Sequence, residues 1–69
     1  MTDYSNAARN GATAITSDGS FYNICLNRAG NEGWLADVIY AYDHNDDMYF
    51  WDLNGRALGH DNDIVGIVE

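Results

Sequence analysis

The stretch WLADVIYAYDHNDDMYFWDLNG, residues 34–55, decides the fold. Trp34 to Asp43 and Met48 to Leu53 are two runs rich in aromatic and β-branched residues, with the alternation of a pleated strand. His44-Asn45-Asp46-Asp47 separates them and predicts a turn. With those four residues as the loop, Asp43 stands opposite Met48, Tyr42 opposite Tyr49, Tyr40 opposite Trp51 and Val38 opposite Leu53. These rings then share one face with Trp34 and Ala36, and that face is the expected core. The reverse face carries Leu35, Asp37, Ile39, Ala41 and Asp43 on one strand, and Met48, Phe50 and Asp52 on the other. Carboxylates are seldom buried without partners, so this second face is expected to be open, or half covered by a helix. A one-residue slip in register would exchange the two sets.

The flanking sequence extends the pattern on both sides. Asn54-Gly55 predicts a tight hairpin turn into a short return strand over 56–59, and Ile64 to Val68 a closing edge. Upstream, Gly30-Asn31-Glu32-Gly33 predicts a turn, and Ser17-Asp18-Gly19-Ser20 another. Between these turns, Tyr22, Ile24 and Leu26 fall on one face of a strand and Asn23, Cys25 and Asn27 on the other. Ala12 to Thr16 reads as a weak first strand. Residues 1–10 suit a short helix, with Thr2 or Asp3 as N-cap and Gly11 as its stop. The expected architecture is α+β and mainly β: one domain over residues 1–69, a meander of four or five antiparallel strands with a small N-terminal helix.

Composition narrows the function. The chain has 69 residues, 46% of them apolar and 13% aromatic, which argues against disorder. Acidic residues number 11 against 3 basic ones, and the formal net charge is −8. The cations are Arg9, Arg28 and Arg56; Lys is absent. Such a field opposes direct contact with nucleic acid or an anionic membrane. No apolar run approaches the roughly 20 residues of a membrane-spanning helix. The N-terminal sequence lacks the cationic start and apolar stretch of a signal peptide, so a cytoplasmic location is expected. The single Cys25 excludes an internal disulfide and a multi-cysteine zinc site.

Motifs for chemistry fail one by one. Asp43-His44-Asn45-Asp46-Asp47 begins like a calcium loop, but Met48 stands where that loop needs Gly, and Asn54 where it needs Glu. His44, His60 and Cys25 would have to converge for a transition-metal site. Cys25 lies mid-strand without an adjacent cation to activate it. Asp37 and Asp52 form a conceivable carboxylate pair, but a sheet this small offers little concavity for a substrate. The glycines stand singly at turns, so no nucleotide-binding loop is present. No catalytic residue, metal or cofactor is expected.

The segment Trp51-Asp52-Leu53-Asn54-Gly55-Arg56-Ala57-Leu58-Gly59, with Asp63-Ile64-Val65-Gly66, resembles the ending of many small bacteriophage and prophage accessory proteins. That resemblance covers about the last quarter of the chain. It implies a phage-encoded protein acting on host machinery, in the manner of anti-CRISPR and anti-restriction inhibitors, several of which mimic DNA. The composition adds a physical route. Asp holds its charge close to the backbone, and a rigid array of carboxylates imitates duplex phosphates, which carry about one charge per 1.7 Å. The expected partner is a host defence protein with a basic nucleic-acid-binding groove, met in the bacterial cytoplasm. The expected contact residues are Asp37, Asp43, Asp46, Asp47, Asp52, Asp61 and Asp63, with Ile39, Met48 and Phe50 as apolar anchors. The alternative is an assembly module that forms a homodimer through an open sheet edge or the second face.

Overall fold

The computed structural model describes residues 3–28, 30 and 36–68. Among these residues, a short helix, α1 (Ser5–Arg9), precedes the strands β1 (Thr13–Thr16), β2 (Phe21–Asn23), β3 (Cys25–Asn27), β4 (Val38–Tyr42), β5 (Met48–Trp51), β6 (Ala57–Leu58) and β7 (Ile64–Val68). They form two antiparallel sheets, ordered β2-β1-β7 and β3-β4-β5-β6. The fold is α+β and mainly β, and the four-stranded sheet is the expected meander. What the sequence pattern does not show is the division into two sheets. Residues 21–27 run as one stretch that changes sheet at Ile24, whose N–H donates to Ala12 O at 3.0 Å. The expected alternation holds across the bend: Tyr22, Ile24 and Leu26 all join the core. β7 returns to pair with β1, so the first and last of these strands meet in one sheet.

Three hairpins share one loop plan. In each, the first residue's N–H donates to the carbonyl of the fifth: Thr16 to Ser20, Asp43 to Asp47 and Asp52 to Arg56, at 2.9–3.0 Å. The fourth residue of each loop has positive φ: Gly19 at 85°, Asp46 at 64° and Gly55 at 88°. This is the three-residue loop in which a left-handed residue follows a type I turn. The Asp-Gly and Asn-Gly signals thus mark the hairpins correctly, but the loops hold three residues. Carboxylates clamp all three. Asp43 Oδ1 accepts from the N–H groups of Asn45 and Asp47, Asp52 Oδ1 from those of Asn54 and Arg56, and Asp18 Oδ1 from Ser20 N–H and the Thr16 hydroxyl.

The 43–47 loop corrects the central register. Tyr42 pairs with Met48, Ala41 with Tyr49, Tyr40 with Phe50 and Ile39 with Trp51. The loop is one residue shorter than the 44–47 turn, because Asp46 adopts the left-handed conformation that Asp and Asn tolerate. The faces are re-partnered accordingly. Ile39 and Ala41 join Tyr49 and Trp51 in the core, and Ile39 and Trp51 are 0% exposed. Tyr40 and Tyr42 turn to the other face with Met48 and Phe50, and Tyr42 is 55% exposed. Trp34 and Leu35, each assigned to a face above, lie outside the described residues, as do Thr2 and most of the 30–33 turn. The re-partnering is testable. Ile39→Ala is expected to cost about 2–5 kcal/mol, and Tyr42→Ala under about 1 kcal/mol. Urea midpoints for the two variants check that order.

The core centres on Trp51. Its indole N–H donates to Asn62 O at 2.7 Å, and its ring meets those of Tyr22 and His60 at 5.6 and 5.3 Å. Asn62 ties the 59–63 connection to the first hairpin. Its Oδ1 accepts from Ser17 Oγ and Asp18 N–H, and its Nδ2 donates to Thr16 Oγ1. α1 closes the other side of the core with Tyr4 and Ala8. Its N-cap is Tyr4, which makes no side-chain cap bond; Asp3 Oδ1 instead reaches Ser5 N–H at 2.8 Å. Gly11 follows at φ +69°, the stop the sequence predicts.

Candidate protein-binding surface

The seven acidic residues expected at the surface fall into groups rather than one patch. Asp43, Asp46 and Asp47 occupy the β4–β5 loop. Asp52 and Asp63 meet at the opposite end of β5, where they line a groove of about 320 Å³ with Asn54, Gly55, Arg56 and Ile64. A four-residue strand separates the two groups by about 13 Å. Asp37 precedes β4 at the Asp52 end and is exposed; Asp61 is exposed in the 59–63 connection.

Their duties differ as well. Asp43 and Asp52 each hold a loop together through two backbone N–H bonds, and Asp63 Oδ1 accepts from Ala57 N–H at 2.7 Å. A carboxylate that accepts N–H bonds is stabilised in its charged form. The Asp47 backbone bond, followed by that of Asn45, accordingly holds the Asp43 pKa below its ordinary value. The Asp43 charge in turn pushes the Tyr49 hydroxyl up. Asp46, Asp47 and Asp61 are exposed in the bends that carry them.

Asp18, outside the expected set, is the most strongly shifted. The Thr16 hydroxyl, then the Ser20 backbone N–H, lower its pKa from 3.8 to about 2. The folded pKa lies below the unfolded one. The stability it brings is therefore full above about pH 4 and is lost as pH falls toward 2. The thermal midpoint is expected to drop across that window, and to drop less steeply in Asp18→Asn, which keeps the acceptor oxygen but not the titration. Asp3 and Asp43 shift in the same direction, so part of the slope remains.

The apolar anchors need one correction. Ile39 is buried in the core and presents nothing to a partner, because the shorter loop re-partnered its strand. Met48, 40% exposed, and the half-buried Phe50 do lie on the outer face. Register puts Cys25, Tyr40, Phe50 and Leu58 in one row across the four strands of that face, with Tyr42 and Met48 beside it. Sequence reasoning missed Tyr42, which the longer loop had turned inward, and Phe21, which is 62% exposed.

Phe21 and Tyr42 flank an open groove of about 600 Å³, lined also by Thr13, Ser20, Tyr22, Asn23, Asp43 and His44. It exists because the β3–β4 ladder stops at Cys25 and Tyr40, after which β2 diverges to pair with β1. Among the described residues, no three His, Cys, Asp or Glu side chains gather as a metal site requires. No helix among them is long and apolar enough to cross a membrane. Comparison with protein-family models, with curated proteins and with solved structures finds no match for this chain.

Proposed function

We propose that this chain is a non-enzymatic, phage-type inhibitor. It acts in the host cytoplasm by binding a host defence protein, a CRISPR effector or restriction enzyme, at that protein's basic nucleic-acid-binding groove. The observation that carries the reading is the 43–47 loop. Of three hairpins built on one plan, it alone places an aspartate, Asp46, where the other two use glycine, and it adds Asp47 beside it. A left-handed non-glycine residue is a local cost of about 1 kcal/mol or more, and two neighbouring exposed charges add repulsion. Both costs are accepted at the tip of a hairpin whose loop Asp43 clamps, where a cationic partner would meet the charges first. The net charge of −8 without Lys supplies the long-range attraction.

The local cost is measurable by itself. Asp46→Gly is expected to raise stability by about 1 kcal/mol while weakening capture of the partner. Paired denaturation and binding assays check that trade.

The function is tested by retention of defence nucleases from a nuclease-treated bacterial lysate on the tagged chain. A nucleic-acid-binding protein should elute at moderate salt, and excess duplex DNA should displace it. Asp46→Asn with Asp47→Lys should lose it. A partner indifferent to salt and duplex overturns the reading. One observation favours the alternative of self-association: β7 is an edge strand, and its Val65 and Val68 are exposed. Sedimentation of the purified chain as a dimer, unaffected by the loop charges, would favour it.

A further inference from the structure

We propose that the groove between β2 and the β4–β5 loop receives an arginine side chain of the basic partner. This rests on the reading above and makes it specific. Two exposed rings, Phe21 and Tyr42, stand at the groove's walls, and Asp43 is among its lining residues. Aromatic faces attract a guanidinium, which stacks on a ring while its N–H groups reach a carboxylate. Lys concentrates its charge on one ammonium and stacks less well.

The lining holds its acid rigidly. Asp43 Oδ1 accepts from Asn45 and Asp47 N–H, so the carboxylate is positioned before any ligand arrives. Neutral groups complete the wall. The Thr13 hydroxyl bonds to Asn23 Oδ1 at 2.8 Å, and Ser20 adds a hydroxyl. Among the described residues, the lining contains no Arg or Lys, and His44 stands beside Asp43 in it.

Charge selects among possible occupants. A phosphate or another polyanion would meet the −8 field and a lining that includes the acid Asp43. A second copy brings the same net charge and three arginines, and Arg56 already lines the Asp52–Asp63 groove. A protein rich in exposed arginine fits both the local lining and the long-range field.

The probe is N-acetyl-arginine amide, added to the intact chain and followed by amide chemical shifts at low salt. Acetyl-lysine amide and acetyl-citrulline amide are the comparisons, citrulline having nearly the same shape without the charge. Saturable shifts confined to residues 20–23 and 42–44 are expected, strongest with arginine. Phe21 and Tyr42 are exposed, so their alanine variants should fold, and each should weaken binding by about threefold. Asp43→Asn keeps an oxygen for the loop bonds and should weaken it at least as much. Equal binding of citrulline, or shifts spread without saturation over Asp37, Asp61 and Asp63, would overturn the proposal.

The two readings fail separately. If the groove binds arginine but no captured protein yields to duplex DNA, the groove stands and the inhibitor reading falls. If duplex displaces a captured partner whose retention is unchanged in Tyr42→Ala and Asp43→Asn, the inhibitor reading stands and the groove does not.

Discussion

Trp51→Ala should leave much of the chain unfolded at 25 °C. Trp51 is 0% exposed and its strand pairs on both sides, with Ile39 and with Ala57. Removing a buried Trp or Phe side chain costs about 3–5 kcal/mol, set by how far the surroundings collapse. Collapse is restricted here. Tyr22, Tyr49 and His60 pack around the indole from β2, β5 and the 59–63 connection, and each of these is anchored elsewhere. The lost N–H also leaves Asn62 O without its 2.7 Å donor. Against this, a 69-residue domain has a total stability of about 3–10 kcal/mol, by the usual allowance per residue. Trp51→Phe keeps most of the ring volume but not the donor, and should fall between. Urea titrations followed by circular dichroism rank the three proteins. A Trp51→Ala midpoint close to the parent's would mean that the indole is not the centre of the core.

How much of this was legible depends on which interactions act locally. Alternation marks Tyr22, Ile24 and Leu26 as inward because a pleat has period two whatever lies across from it. The same rule sorted Ile39 and Ala41 correctly from Tyr40 and Tyr42 within β4. It could not choose between the sets, because that choice depends on partnering. Partnering depends on the loop, and the loop depends on whether Asp46 adopts positive φ. Asp43-His44-Asn45-Asp46-Asp47 and Asp52-Leu53-Asn54-Gly55-Arg56 share an Asp-x-Asn start, and each Asp bonds the N–H groups two and four residues on. That repeat was present in the sequence and is the signal that gives the register.

The two-sheet division had no comparable signal. The bend at Ile24 is fixed by a bond to Ala12 O, and the return of β7 by pairing with β1, both between residues distant in sequence. The acidic surface was legible as composition but not as geometry. Asp18, Asp43, Asp52 and Asp63 spend an oxygen on the chain's own donors, whereas Asp46 and Asp47 are exposed at a hairpin tip. Part of the abundance of Asp is therefore architecture. A scan that neutralises all the acids together would confuse lost folding with lost binding.

Gly55→Ala should be the most damaging of the small substitutions, costing about 3 kcal/mol or more. Part of this is backbone: φ is +88°, and an L-residue in the left-handed region costs about 1–2 kcal/mol. The rest is steric. A Cβ at Gly55 would sit 2.6 Å from Tyr4 Cε2 and 3.0 Å from Ile64 O. Neither neighbour can give easily. Tyr4 is buried and its N–H donates to Leu53 O at 2.7 Å, while Ile64 N–H donates to Gly55 O at 2.7 Å. The N-terminal segment, the β5–β6 loop and the start of β7 thus converge on a site with room for hydrogen only. Gly11 isolates the backbone part, since its φ is +69° and nothing lies within 4 Å of a Cβ there. Gly11→Ala should lose only that part. A double-mutant cycle with Tyr4→Ala resolves the remainder, because removing the ring removes its share of the clash. Gly55→Ala should then cost less in the Tyr4→Ala background than in the parent. Equal costs in both backgrounds would place the penalty on φ and the Ile64 carbonyl alone, and would show that Tyr4 can shift aside.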